Sequence, residues 1–386
     1  MYKIEIQEIA EVSSSNSGYF QQTKFWCEFK ENHGWSYRKF RISWIHIEAD
    51  SKGNTQANGS QEVSVLTRTF AKGFFSLAYV PLFPSLPIEG VNSHDQNIEF
   101  TNLMGEIGVA LKPFLPKNTI CIRFDPAVGF DNTEDRDIFV RGTKLVAFAD
   151  RLKLKKSAVD IQPPDSTQID LTPAEDEILS KMKSKWRYNV NLSARKGVEI
   201  IRVTGENEKL SEYLDIFYDL YKITAERDGI GLHAKSYYED LLRKSAAEIA
   251  AGKDVPVISL YLAKHEKDFL GAIITLFSKT ESIYLYGCSG NVKRNLMPNF
   301  LLQWTAMKDA KAYGSQYYDM YGMPPADDEN HPMHGLYLFK TGFGGNNIHR
   351  IGSFDIPLKF VYRFYDKAER VRAFWHKVIL KKIRGR

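Results

Sequence analysis

Residues 255–288 read VPVISLYLAKHEKDFLGAIITLFSKTESIYLYGC. They contain three runs rich in β-branched and aromatic side chains, Val255–Lys264, Phe269–Ser278 and Ser282–Cys288, separated by short polar turns, which predicts three consecutive strands. Upstream, Thr172, Pro173 and Glu175 look like a capping box with proline at the first helical position, opening a helix that runs to Gly197. A strand over Val198–Thr204 follows. Apolar residues at three- and four-residue spacing then predict helices over Asn207–Asp228, stopped by Gly229, and Lys235–Ala251, stopped by Gly252. Downstream come a helix over Asn299–Tyr313, a strand over Tyr317–Tyr321, a short helix over Gly335–Thr341 and a strand near Ile348.

The resulting order, β-α-α-β-β-β-α-β-α-β, is that expected of an N-acetyltransferase-like (GNAT) mixed α/β domain. The first half has room for a second copy: a helix at Lys24–Asn32, strands near Tyr37–Ile47 and Glu62–Val80, a helix at Gln96–Leu115 and a strand at Thr119–Phe124. Asp150–Ser166, containing RLKLKKS and QPPDS, reads as the link between halves. The expected architecture is therefore a mixed α/β fold: a GNAT-like domain over residues 1–165, a second over 166–357, a cleft between them, and a basic amphipathic helix over 358–386 packing on the first domain.

Composition sets the class. A chain of 386 residues, 43% hydrophobic and 26% charged, is long enough for two cored domains and is neither disordered nor disulfide-stapled. Cys27, Cys121 and Cys288 lie far apart and form no CxxC pair, so a reducing compartment is expected. The start, MYKIEIQEIAEV, lacks the pattern of a secretion signal, and the apolar run Phe269–Phe277 falls short of the ~18 residues that cross a bilayer. A cytoplasmic location follows, with peripheral contact at the inner membrane face left open. The net charge of +5 is uneven. Residues 359–386 hold ten Lys or Arg against Asp366 and Glu369, so a polyanionic partner would meet the C-terminal segment first. There Phe364, Val371, Trp375, Val378 and Ile379 alternate with Arg363, Lys367, Arg370, Lys377 and Lys381, the pattern of an amphipathic helix.

Absent motifs narrow the chemistry. Residues 287–295 lack the glycine turn with which a GNAT enzyme grips the pyrophosphate of acyl-CoA. No HExxH, GxSxG or GxxxxGK[ST] occurs, and His331 with His334 has no third ligand in view, so no metal or bound cofactor is expected.

Several segments, in order, resemble the FemABX family of peptidoglycan bridge-forming aminoacyltransferases: Phe25-Trp26-Cys27-Glu28-Phe29-Lys30 with Gly34-Trp35, Ile122-Arg123-Phe124-Asp125-Pro126, Thr224-Ala225-Glu226-Arg227-Asp228-Gly229, Tyr284-Leu285-Tyr286-Gly287, and Gly335-Leu336-Tyr337-Leu338-Phe339-Lys340-Thr341-Gly342-Phe343-Gly344-Gly345. The uninterrupted stretch Val198–Gly229 resembles members without a helical arm, the FemX-like type. The resemblance implies two GNAT-like domains and transfer of an amino acid (Gly, Ala or Ser) from aminoacyl-tRNA, a co-substrate, to the side-chain amine of a lipid- or UDP-linked muropeptide.

It also implies roles. Lys340 would stabilise charge on the reacting ester and Phe339 would stack on the tRNA acceptor end. Lys30 and Trp35 would lie near the precursor's pyrophosphate and sugar, and Tyr237 and Tyr286 would line the acceptor site. His233 stands where the FemX-type pattern has a pyrophosphate-binding arginine, and a mostly neutral imidazole is a poorer anion ligand. Asp125 is a candidate to orient or deprotonate the attacking amine, and Asp319, a charge in an apolar strand, is a supporting residue. On the residues alone, Lys340 also reads as a solvated helix lysine, Phe339 as core and Asp125 as a turn former before proline. Two other functions stay open: a GNAT-like N-acyltransferase with a CoA or carrier-protein donor, and a non-catalytic muropeptide- or tRNA-binding protein at the membrane surface.

Overall fold

The computed structural model describes residues 2–10, 18–46, 58–88, 93 and 95–375. The chain divides into two compact units, Met1–Pro164 with His349–Arg386, and Asp165–Ile348.

In chain order the first unit begins with β1 (Tyr2–Glu8), α1 (Lys24–Glu31), β2 (Ser36–His46), β3 (Asn58–Phe70), β4 (Phe75–Ser85), α2 (Gln96–Leu111), β5 (Thr119–Ala127), β6 (Gly129–Phe130), α3 (Thr133–Ala149) and β7 (Lys155–Lys156). The second unit holds β8 (Asp165–Asp170), α4 (Glu175–Lys181), α5 (Ser184–Arg195), β9 (Glu199–Val203), α6 (Leu210–Asp228), α7 (Lys235–Ala250), β10 (Val257–His265), β11 (Asp268–Phe277), β12 (Glu281–Ser289), α8 (Pro298–Tyr313), β13 (Tyr317–Asp319) and α9 (His334–Thr341). The chain returns to the first unit within β14 (Asn346–Arg350) and ends its described course with β15 (Phe354–Pro357) and α10 (Tyr362–Phe374).

Each unit repeats one topology. In the first, β1 to β4 pair antiparallel in sequence order, and α2 then carries the chain to β5, which lies parallel to β4. In the second, β9 to β12 do the same, and α8 crosses to β13, parallel to β12. A parallel pair requires such a crossover, so each helix lands on its own sheet and buries one face there. From α2 these are Phe100, Leu103, Met104, Ile107 and Leu111, and from α8 Leu302, Ala306, Met307 and Ala310. The expected second GNAT-like copy is present, and the fold is mixed α/β.

The structure departs from the sequence expectations in several places, and it adds a helix, α3, that was not among them. The helix expected over 172–197 is two helices, because Met182 and Lys183 are extended and the Lys183 N–H donates to the Gly342 carbonyl at 2.9 Å. Thr172 does not cap a helix, since its hydroxyl donates to Asp170 at 2.7 Å. The run Glu62–Val80 spans two strands, reversed at Ala71, Lys72 and Gly73, all at positive φ. Residues 349–357 join the first unit rather than the second, because β15 pairs with β5, Phe354 opposite Phe124 and Ile356 opposite Ile122. The stretch expected to link the halves is itself bonded into the first unit, Ser157 N–H to the Ser353 carbonyl and Ile161 N–H to the Ser353 hydroxyl.

The terminal helix α10 lies in the first unit but is turned over. Tyr362, Tyr365 and Glu369 face inward, Glu369 meeting Arg123 at 2.7 Å, while Arg363, Lys367, Arg370 and Arg372 are exposed. Phe364, Val371 and Trp375, expected to pack down, are exposed. Residues Val378, Ile379, Lys377 and Lys381 of the same expectation lie outside the described residues.

Candidate active site

The second unit gathers Lys340, Asp319, Tyr286, Tyr237 and His233 around the strands β12 and β13. Lys340 is buried in α9. Its Nζ donates to three successive carbonyls of the loop after β13, Met320 at 2.6 Å, Gly322 at 2.8 Å and Tyr321 at 3.2 Å. It also sits 4.9 Å from the centre of the Tyr284 ring, a cation–π contact strengthened by burial. Burial pulls the ammonium's pKa down to about 7, and the Asp319 carboxylate opposes that pull. The solvated surface lysine is therefore ruled out: this is a desolvated cation held in a backbone collar.

The collar has its own support. Asp319 is buried at the end of β13, accepting from Ser166 Oγ, from Gln168 Nε2 at 3.3 Å and from the Tyr321 N–H at 2.6 Å. Tyr321 adopts φ +57°, uncommon for a side chain of its size and of a kind that concentrates at functional sites. Its N–H is fixed by Asp319 while its carbonyl receives Lys340. The glycines of the two motifs make room: a Cβ on Gly287 would lie 1.7 Å from the Tyr284 hydroxyl, and one on Gly342 would lie 2.2 Å from the Trp186 ring. Trp186 in turn donates to the Phe339 carbonyl at 2.8 Å, fastening the end of α9. The Phe339 ring is half-buried, edge-on to Phe300 and Phe343 at 5.2 and 5.3 Å.

Beside this lies an aromatic cluster. His233 is exposed and stacks on Tyr237 at 4.1 Å, with the Tyr286 ring edge-on at 6.4 Å. Burial pushes both tyrosine hydroxyls upward in pKa, so they stay protonated and act as hydrogen-bonding groups.

The first unit carries a second constellation. Thr23 caps α1 by accepting from the Trp26 N–H at 3.3 Å, and the helix buries Phe25, Trp26, Cys27 and Phe29. After the turn through Gly34, the Trp35 N–H donates back to the Lys30 carbonyl at 3.2 Å, which brings the two side chains together. Lys30 Nζ lies 5.7 Å from the ring centres of both Trp26 and Trp35, and the Arg68 guanidinium lies 5.6 Å from Trp35. Burial and repulsion from Arg68 lower the Lys30 pKa to about 8. Two cations thus lie against one indole, and Arg68 disfavours the charge on Lys30.

Asp125 is joined to this group through Tyr79. It is buried in β5 and accepts from the Tyr79 hydroxyl at 2.6 Å, the Gln162 N–H at 3.1 Å and the Ser353 hydroxyl. Desolvation raises its pKa despite these donors. Tyr79 connects the two groups, its ring 6.1 Å from Trp35. With three donors already satisfied, Asp125 is built as a clamp joining β4, β5 and the 160–162 and 353 segments.

Sequence reasoning missed Tyr284, Tyr321, Ser166 and Arg68 as site residues. Tyr284 stood inside a quoted motif, so its glycine partner was the available signal. Arg68 and Ser166 carried none, since only sheet register brings them to Trp35 and Asp319.

The FemAB family model matches residues 5–249 and 258–370. The lipid II:glycine glycyltransferase of Staphylococcus aureus (strain COL) is 25% identical over 407 residues, 90% of this chain and 89% of that protein, and the protein of the same name from strain MRSA252 matches over the same shares. The crystal structure of FemX aligns with a TM-score of 0.65 at 21% identity, covering 95% of this chain and all of that one, so the two share a fold. With the family pattern running through both units and across the segments that hold Lys30 and Lys340, the chain belongs to the FemAB family.

Proposed function

We propose that the protein is an aminoacyltransferase that moves glycine, alanine or serine from aminoacyl-tRNA to the side-chain amine of a lipid-linked muropeptide, building the interpeptide bridge of peptidoglycan. The observation that carries the reading is the desolvated Lys340 cation in its carbonyl collar, inside the segment that most resembles the family. Relatives named as lipid II:glycine glycyltransferases support the substrate class.

The reaction needs no nucleophilic side chain. The amine nitrogen attacks the ester carbonyl and forms a C–N bond, the carbonyl–ribose C–O bond breaks, and one amine proton passes to the departing ribose oxygen. Negative charge develops on the ester oxygens during the attack, and a fixed cation in a buried site stabilises it far better than one in solvent. Lys340 would act by charge, since its three N–H donors are already engaged. Phe339 would offer the free edge of its ring to the acceptor end of the tRNA. Tyr237, Tyr286 and His233 would border the acceptor amine, and Asp319 would hold the collar in shape. Lys30, Arg68 and Trp35 would take the pyrophosphate and sugar common to lipid- and nucleotide-linked precursors.

The test supplies purified protein with glycyl-, alanyl- or seryl-tRNA and a lysine-containing lipid-linked precursor. Transfer abolished by ribonuclease supports the proposal; transfer from acetyl-CoA, or transfer indifferent to ribonuclease, overturns it.

A further inference from the structure

Helix α10 exposes apolar side chains on the face that points away from its unit. Its inner face packs Tyr362 and Tyr365 with Leu66, Leu77 and Ile120 and is tied down at its polar tips: the Tyr362 hydroxyl donates to Asp355 at 2.9 Å, the Tyr365 hydroxyl donates to Glu369 at 2.6 Å, and Arg123 bridges Asp355 and Glu369 with bonds of 2.7 Å to each. Its outer face is apolar. Phe360, in the turn just before the helix, and Phe364, Val371, Phe374 and Trp375 are 67%, 63%, 66%, 58% and 48% exposed, and the offsets of 7, 10 and 11 residues from Phe364 place the last three on its side of the helix. The buried ion-pair network fixes this orientation, because rolling the helix to bury its aromatic residues would take Glu369 away from Arg123 and Tyr362 away from Asp355.

Cations border the outward stripe, and one, Lys367, lies within it. Lys359, Arg363, Lys367 and Arg372 are exposed, and the Arg363 guanidinium lies 5.1 Å from the Phe360 ring centre. The two acids of the helix are removed from that surface, Glu369 by Arg123 and Asp366 by its 3.0 Å pair with Arg370. An aromatic and aliphatic stripe edged by exposed basic residues matches the boundary of an anionic bilayer, where rings sit among the acyl chains and cations meet the headgroup phosphates.

We propose that the outward face of α10 docks the protein on an anionic lipid surface. This stands apart from the transfer chemistry, because vesicle binding is measured without turnover. The full chain is floated with vesicles of equal parts phosphatidylglycerol and phosphatidylcholine, or of phosphatidylcholine alone. The expected result is binding to the anionic vesicles, weakened by salt. The variant Phe360→Ser/Phe364→Ser/Phe374→Ser should lose about tenfold or more of this partitioning with its melting curve unchanged, since these rings are exposed. Arg363→Glu/Lys367→Glu should abolish the preference for anionic over neutral vesicles. Equal binding by wild type and the triple-serine variant overturns the proposal. So does a dimer that the serine variant dissolves while vesicles bind neither protein, which would assign the face to a second copy. Binding that appears only after residues 376–386 are deleted also overturns it, because the chain's own end would then be the occupant.

Discussion

The Lys340 ammonium lies 2.6 Å from the Met320 carbonyl, the shortest of three backbone contacts that enclose it. One side chain thus does two things: it neutralises a convergence of carbonyl dipoles, and it keeps a positive charge in a space shielded from solvent. A substitution there separates into a rate effect and a stability effect.

Lys340→Met is expected to lower turnover by ~10²–10³-fold, the usual result of removing one charge-stabilising group. It should also lower the melting temperature, because three buried carbonyls lose their donor at about 1–3 kcal/mol for each left unsatisfied. Thermal denaturation and single-turnover transfer measure the two parts. A variant with normal turnover would remove Lys340 from the mechanism.

The pH dependence follows from the depressed pKa near 7. If the protonated form stabilises the transition state, kcat should fall as pH rises above about 7, and Lys340→Arg, which stays protonated, should lose that limb. Stability runs the other way. Between about 7 and the ordinary lysine value the unfolded chain holds a proton the folded chain has released, so this group's contribution to stability increases with pH. Comparing wild type with Lys340→Met across pH isolates it.

Gly287→Ala should move the Tyr284 ring, since a Cβ would lie 1.7 Å from its hydroxyl and 2.4 Å from the carbon that bears it. Overpacking of this kind costs about 1–3 kcal/mol. Because Tyr284 underlies Lys340, turnover should fall along with the melting temperature. A melting temperature equal to wild type would show that the ring relocates freely and that the glycine is not required by it.

Arg68→Gln and Lys30→Gln should each raise KM for the precursor about tenfold, with kcat little changed, because they act on a group remote from the reacting ester. A muropeptide lacking the pyrophosphate should bind wild type and both variants alike. If it discriminates among them, the two cations contact something other than phosphate.

Asp125→Asn should lower stability more than rate. The carboxylate accepts from Tyr79, Gln162 and Ser353, and an amide retains only one accepting oxygen. A large loss of kcat with an unchanged melting temperature would restore Asp125 as the base that orients the amine.

The second unit was legible because its signals are local. Gly229 and Gly252 follow α6 and α7 in the left-handed conformation that favours glycine as a helix stop, and β10 to β12 are apolar runs cut by polar turns. The strands passed over were short: β8, β15 and β1 have six, four and seven residues, and their pairing partners lie far along the chain. The 17-residue helix α3 was passed over as well; it buries only Phe139, Thr143 and Ala147, too narrow an apolar face to stand out. The break at Met182–Lys183 has no local cause, since the Gly342 carbonyl that captures Lys183 comes from the far end of the unit.

The amino-acid sequence by itself determined the run of elements from β9 to β13, the mixed α/β pattern and the motifs that contain Lys30 and Lys340, all set by periodicity, turn residues and short-range spacing. Only the tertiary structure decided that Lys340 is a buried cation in a collar of carbonyls, that Arg68 shares Trp35 with Lys30, and that Asp125 is a clamp. It alone decided which face of α10 is outside, because the residue that turns the helix over, Arg123, lies 246 positions from Glu369. The spacing of apolar residues along a helix marks out an apolar face but does not say which way that face points. A buried charge that must be paired can outweigh it.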